Sequence, residues 1–246
     1  HAMADFLQRD AMLEASLILQ DDLFTRWTLP TLNLFINGAL REILLHKPNA
    51  FAVTANLPLT AGALQMMPPQ YPILLRIIRN TNPPEQSALS ADAISQITLV
   101  SRQMMDAVDP LWSDPNYSKP AALVRHFMFD AAQPDHFYVY PPNNGAGMVE
   151  AIVAAEPARI GAPASGQTLL ESWSAVVPIK ESYRQAVVDY MLFRAFSMDL
   201  AMPGMAQRAQ MHRAAFAEAL GIKYSRESMA SPKTTYATPA VEGGAA

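Results

Sequence analysis

The 246-residue sequence contains no cysteine. Disulfide bonds and thiolate-ligated metal sites are therefore excluded, and the absence fits a reducing compartment. No window approaches the ~18 consecutive apolar residues of a membrane-spanning helix. No signal peptide is expected either, because polar residues between Asp5 and Asp10 interrupt the first apolar residues. His1 and Ala2, ahead of Met3, are expected to be a cloning remnant.

Charged residues are also few, at 16% of the chain. The 18 basic and 22 acidic residues leave a net charge of −4 and a pI near 5.7. A protein that binds nucleic acid through a basic surface is therefore not expected. Half of the residues are hydrophobic, which favours a folded chain with a substantial core.

Proline, by contrast, is abundant, with 20 residues. That is about 8% of the chain, against a usual ~5%. Proline ends both helices and strands because it cannot donate a backbone hydrogen bond. The sequence therefore predicts short elements joined by fixed connections.

Helical spacing of apolar residues predicts five helices. They cover residues 4–19, 28–46, 90–110, 180–202 and 205–220. In the first, Phe6, Leu13 and Leu17 form the expected apolar stripe. The second begins with Thr28 as the cap and Pro30 in the first turn, and ends before Pro48.

The apolar face of the second helix is expected to hold seven residues: Leu32, Phe35, Ile36, Ala39, Leu40, Ile43 and Leu44. Its opposite face carries Asn33, Asn37 and Arg41, which are expected to be solvated. The third helix is expected to begin at Ser90 or Asp92 and to end at Pro110.

The run His136–Pro142 predicts a central strand, because aromatic and β-branched residues favour extended structure. Pro141 and Pro142 are expected to end it, and 143–147 to turn the chain. Residues 148–154 then return as its partner, and 124–129 add a third strand. Further strands are expected at 51–57, 64–67 and 173–179. Residues 71–78 fit a strand or a short helix, and their run of isoleucine and leucine favours a strand.

The sequence thus predicts a mainly α fold with a small antiparallel β insertion, in the α+β class. A helical bundle body (4–47, 90–110 and 180–220) carries a β-rich part (51–79 and 123–179). Together they form a single domain, 4–222. Residues 223–246 lack periodicity and are expected to form an extended C-terminal arm.

No motif for catalysis is present. Gly161 and Gly166 have the spacing of a phosphate-binding loop, but Gln167 stands where the lysine is required. Ser165 lies in a flexible loop without a nearby histidine. We therefore expect no enzyme activity, no catalytic residue, no cofactor and no bound metal.

A cluster of four residues is the best candidate for a metal or small-ligand site: His126, Asp130, Asp135 and His136. A strand and a turn would bring them together, and Zn²⁺ takes three such ligands. Aspartate is also common in turns, so a purely structural role is the favoured interpretation.

Arg194 is the one charge on the apolar face of the fourth helix. We expect it to pair with Asp189, Asp199 or a carboxylate on another element, because a buried charge is costly when unpaired.

Several short segments occur in an order that resembles the tailed-phage head-to-tail adaptor proteins, also called head-completion or connector proteins. The resemblance covers residues 4–222 and leaves the arm outside. Its segments are Phe24 to Ile43, with Trp27, Pro30, Phe35, Asn37 and Arg41; Pro48-Asn49-Ala50; Gly62 to Pro68; Arg79-Asn80; Pro110-Leu111-Trp112; and Asp130 to Pro142, followed by a tyrosine-containing helix and a shorter one.

The resemblance implies a structural virion protein at the head–tail interface, assembled in the host cytoplasm. It implies a homo-oligomeric ring of twelve subunits that binds the portal protein and a tail, nozzle or tail-completion protein. Double-stranded DNA would pass through the ring without sequence-specific binding. A mildly negative channel would repel phosphate rather than hold it.

The arm is expected to bind a portal or a neighbouring subunit, because its composition cannot bury enough surface alone. The expected contacts are Tyr224, Arg226, Lys233 and Tyr236, since aromatic and arginine side chains carry interface energy. Two other classes stay open: a ligand-binding or enzymatic domain using the His126 and His136 region, and a non-viral scaffold protein.

Overall fold

The computed structural model describes residues 6–81, 97–130, 133–199 and 202–221. These residues form five α-helices and two β-sheets, so the α+β class is confirmed. The helices are α1 Gln8–Leu19, α2 Leu29–His46, α3 Arg102–Val108, α4 Arg184–Met198 and α5 Met205–Ala219. The strands are β1 Ala52–Pro58, β2 Ala61–Met66, β3 Ile73–Thr81, β4 Thr98–Leu99, β5 His126–Phe129, β6 His136–Asn144 and β7 Met148–Ala154.

Some predictions lie outside the described residues. They are the start of the third helix at Ser90 or Asp92, and the arm with Tyr224, Arg226, Lys233 and Tyr236. Within the described part, residues 97–110 are not one helix. Thr98–Leu99 form β4, which pairs in parallel with β5, and only Arg102–Val108 are helical.

The predicted central sheet is in fact two sheets. One has the strand order β1-β7-β3 and the other β2-β6-β5-β4. The predicted pairing of β6 with β7 is therefore wrong. The chain leaves one sheet at Asn144 and enters the other at Met148.

Pro141 and Pro142 do not end β6, which continues to Asn144. The ring nitrogens have no proton to donate, but the carbonyl of Pro142 accepts a bond from the Ala121 N–H (2.9 Å). Since proline carbonyls still take part in a ladder, two prolines are tolerated where the neighbouring chain supplies the donors.

The two sheets share one apolar core. Leu57, Leu74 and Val149 contribute from the first sheet, and Phe127 and Val139 from the second. Alternate side chains of β1 and β7 are buried towards this core, whereas in β3, which has two register shifts against β7, the buried residues lie three positions apart.

A second core lies among α1, α2, α4 and α5 and includes the fully buried Trp173. All seven residues predicted for the apolar face of α2 are buried, so that prediction is confirmed. Asn33 and Asn37 were expected to be solvated and are buried instead. Asn37 bonds both backbone groups of Ile160, at 3.0 Å to its oxygen and 2.8 Å to its nitrogen.

The face predicted for α1 is wrong. Ala11, Met12 and Ala15 are fully buried, whereas Leu13 and Leu17 are exposed. The small alanines allow the helix backbone to approach its neighbours closely, so α1 packs through them.

Two smaller expectations also change. Thr28 precedes α2 but makes no side-chain capping bond; its hydroxyl pairs with that of Thr31 (2.9 Å). The segment 173–179 is not a strand, and its extended part forms a single bridge between Val176 and Leu7. None of the described helices is long and apolar enough to cross a membrane.

Candidate functional site

The two histidines of the candidate ligand site lie at opposite ends of one sheet face. His126 is in register with Tyr140, four residues along β6 from His136. Four residues of strand span about 13 Å, too far for one metal ion to bind both. Across the described residues, no group of three His, Cys, Asp or Glu is placed to hold a metal.

Each histidine has local partners. The His126 Nδ1 lies 2.6 Å from the Thr98 hydroxyl, and its ring stacks on Tyr140. The His136 ring is held between Asp135 and Gln133, both at 2.9 Å. These contacts fix β4 beside β5 and close the turn before β6, so both histidines have structural roles.

Arg194 does not pair with either predicted aspartate. Asp199 forms an ion pair with Arg26, and Asp189 lies 2.9 Å from His212 Nδ1. Arg194 instead donates to the Tyr190 hydroxyl (3.2 Å) and lies over the ring of Phe35. Its guanidinium is stabilised by aromatic rings rather than by a carboxylate.

A concave site opens where α2, α4 and α5 meet. It has a volume of about 280 Å³. Arg194 and Arg213 are its cationic groups, and Glu42 and His46 lie 3.4 Å apart at its edge. Arg213 lies over the ring of Phe193. The site is positively biased and partly aromatic.

Helix α3 presents an apolar surface that nothing in the described structure covers. None of its residues is buried. Met104 and Val108 are 62% and 75% exposed, and Leu111 follows at 51%. Met104 and Val108 lie one helical turn apart, and Leu111 follows three residues after the end of the helix. We call Met104, Val108 and Leu111 the α3 stripe.

A second apolar surface lies on α1. Leu13 and Leu17, one turn apart, are 47% and 61% exposed. Ile18 extends this surface, and we call the three residues the α1 patch. The α3 stripe and the α1 patch lie on different parts of the fold, one attached to the sheets and the other to the helices.

Sequence reasoning missed both surfaces: it placed Leu13 and Leu17 in the apolar stripe of α1, and it made no prediction of an exposed apolar surface on the third helix. A signal did exist for α3. The helix between Ser101 and Asp109 has only seven residues, and a helix this short can cover only a narrow apolar face, here that of Met105.

A family model described as SU10 adaptor protein matches residues 5–239. No curated protein sequence matches the chain.

Proposed function

The chain belongs to the SU10 adaptor protein family, a family of phage head-to-tail adaptors, and from this premise we propose that it forms a ring joining the portal to the tail. The family match over residues 5–239 is the observation that carries the proposal. Membership of this family supports a structural role at the head–tail junction, with portal and tail proteins as the partners.

Two distinct apolar surfaces support a ring. A ring is closed by heterologous contacts, in which one surface of each subunit meets a different surface of the next. The α3 stripe and the α1 patch are two such surfaces, and exposed contiguous apolar groups are typical of interfaces. We propose that both become buried on assembly.

The proposed ring has twelve subunits and encloses a channel for the genome. The net charge of −4 is compatible with a channel wall that repels DNA phosphate rather than binding it. Assembly is proposed to occur in the host cytoplasm. No catalytic role, cofactor or metal forms part of this proposal.

The domain organisation is proposed to be one adaptor domain, 4–222, with its helices as a bundle body, and an extended arm, 223–246. The arm is proposed to contact the portal or an adjacent subunit through Tyr224, Arg226, Lys233 and Tyr236. Aromatic and arginine side chains at such positions commonly dominate interface energy.

The test is the mass in solution, measured by light scattering with the protein alone and mixed with its cognate portal ring. The expected result is a large, defined complex with the portal. If the protein has the mass of a monomer under both conditions, the ring and portal proposal is wrong.

A further inference from the structure

Arg194 and Arg213 contact aromatic rings but no carboxylate, unlike most of the arginines whose side-chain contacts the structure describes. Arg9, Arg79 and Arg184 each form an ion pair with a carboxylate. Arg194 and Arg213 have no carboxylate partner among the described residues, and both line the concave site between α2, α4 and α5. Their guanidiniums are held over aromatic rings, which leaves N–H donors for an incoming anion.

The surroundings of this site favour a protein carboxylate over a nucleic-acid phosphate. Leu45 is 72% exposed and directly precedes His46, which lines the site. Leu34, on the same side of α2, is 58% exposed. Arginine, aromatic rings and exposed leucines together are typical of protein interfaces, whereas phosphate contacts need no apolar rim.

In the described part of the chain, one carboxylate without a partner lies next to a strongly exposed apolar side chain, and this combination suits the arginines of the site and the exposed leucines of α2. Only three of the described carboxylates make no ion pair or hydrogen bond there: Asp22, Glu156 and Glu218. Asp22 directly precedes Leu23, which is 86% exposed, the largest fraction among the exposed large apolar side chains described. The neighbouring Asp21 is occupied by the backbone N–H groups of residues 25–27.

Among the described residues, Asp22 makes no ion pair with Arg194 or Arg213 of its own chain. Its loop is held in place by the ion pair between Arg26 and Asp199, at the end of α4, and by bonds from the N–H groups of residues 25–27 to Asp21. A second copy of the chain is therefore the occupant that the geometry allows.

We propose that Asp22 of one subunit binds between Arg194 and Arg213 of the next, with Leu23 packed on the exposed Leu45. The contact joins two different surfaces, as a closed ring requires. It rests on the proposed ring and identifies one of its subunit contacts.

Charge reversal tests the contact in the full chain mixed with cognate portal. Asp22→Lys and Arg213→Glu are each expected to raise the protein concentration needed for ring assembly at least tenfold. The double variant is expected to return within about threefold of the wild type, because the charges attract again. Glu218→Lys, which reverses another unpaired carboxylate, is the matched control and is expected to assemble normally.

Assembly of both single variants at the wild-type concentration would overturn the contact, and so would a double variant no better than either single one. If Arg213→Glu instead weakens retention of the protein on double-stranded DNA and leaves assembly unchanged, the site binds phosphate and the inference is wrong.

Chemical cross-linking tests the contact without the portal, since the chain has no cysteine. Thr25→Cys and Ala214→Cys place single thiols beside Asp22 and Arg213, at exposed positions. A short bismaleimide is expected to join the two variants when they are mixed at high concentration, and to join neither variant to itself. If the wild-type chain forms a ring but the two variants are not cross-linked, only the proposed contact is refuted. If the variants are cross-linked but no complex with the portal forms, only the portal proposal is refuted.

Discussion

The side-chain amide of Asn80 bonds both backbone polar groups of Val124. Its Nδ2 donates to the Val124 carbonyl (2.8 Å), and its Oδ1 accepts from the Val124 N–H (2.9 Å). Both residues are buried; Asn80 is the penultimate residue of β3 in one sheet, and Val124 precedes β5 in the other. One side chain therefore links the two sheets as a backbone ladder would.

Replacing Asn80 with alanine is expected to lower the free energy of unfolding by about 2–3 kcal/mol. The buried N–H and carbonyl of Val124 would both lose their partner, and unsatisfied buried groups are costly. Urea denaturation measures the change. Asn56→Ala, at an exposed position of β1, is the matched control and is expected to change stability by less than about 0.5 kcal/mol.

Gly38 allows α2 to approach α4. A Cβ at this position would lie 3.0 Å from Tyr190 Cε1 and 3.2 Å from its hydroxyl. The Tyr190 ring packs against Phe193 and Phe216, so it has little freedom to move.

Gly38→Ala is therefore expected to destabilise the protein by about 1 kcal/mol. Overpacking costs about 1–3 kcal/mol, and the better helix propensity of alanine recovers up to about 1 kcal/mol of this. Gly161→Ala, where the added Cβ meets open space, is the control for thermal unfolding. A gain in stability at position 38 would contradict the packing argument.

Asp189 and His212 hold α4 against α5. The Asp189 carboxylate lies 2.9 Å from His212 Nδ1 and accepts a further bond from Gln185 (3.2 Å). The side chains of Asp189 and His212 are only 9% and 12% exposed.

Asp189→Ala is expected to cost about 2–3 kcal/mol, because buried hydrogen bonds to a charged group are among the stronger ones. Chemical denaturation followed by circular dichroism measures the loss. Glu218→Ala, an exposed carboxylate change on α5, is expected to cost less than about 0.5 kcal/mol. Equal losses in the two variants would show that the pair contributes nothing.

The α3 stripe is expected to affect assembly without affecting folding. Val108→Lys should leave the free energy of unfolding within about 0.5 kcal/mol of the wild type, because the side chain is 75% exposed. It should weaken ring formation with the portal, since a charge would be buried without a partner. Gln103→Lys, on another side of the same helix, is the control, and equal assembly of both variants would remove the α3 stripe from the interface.

Removal of the proposed arm is expected to weaken assembly without changing the stability of the fold. A chain ending at Gly221 should unfold at the same denaturant concentration as the full chain. If Tyr224 and Tyr236 anchor the arm on a partner, the shortened chain should form less complex with the portal at equal concentration, measured by light scattering. Unchanged complex formation would show that the arm is dispensable.

The sequence by itself determined the family, the α+β class and the helices with one clear apolar face. In α2 the seven core residues recur every three or four positions, and such local spacing fixes both the helix and its buried side. The resemblance in the segments from Phe24 to Pro142 pointed to the family that the match over residues 5–239 then showed.

Tertiary structure alone decided the pairing of the strands, the roles of buried polar groups and the outward faces of α1 and α3. β6 and β7 are adjacent in the chain yet belong to different sheets, because each pairs with strands that are distant in sequence: β7 with β1 and β3, and β6 with β2. Asn37 and Asn80 look like surface residues in sequence, but each satisfies the backbone of a residue more than forty positions away. Local patterns encode local geometry, whereas burial depends on which other parts of the chain arrive beside a residue.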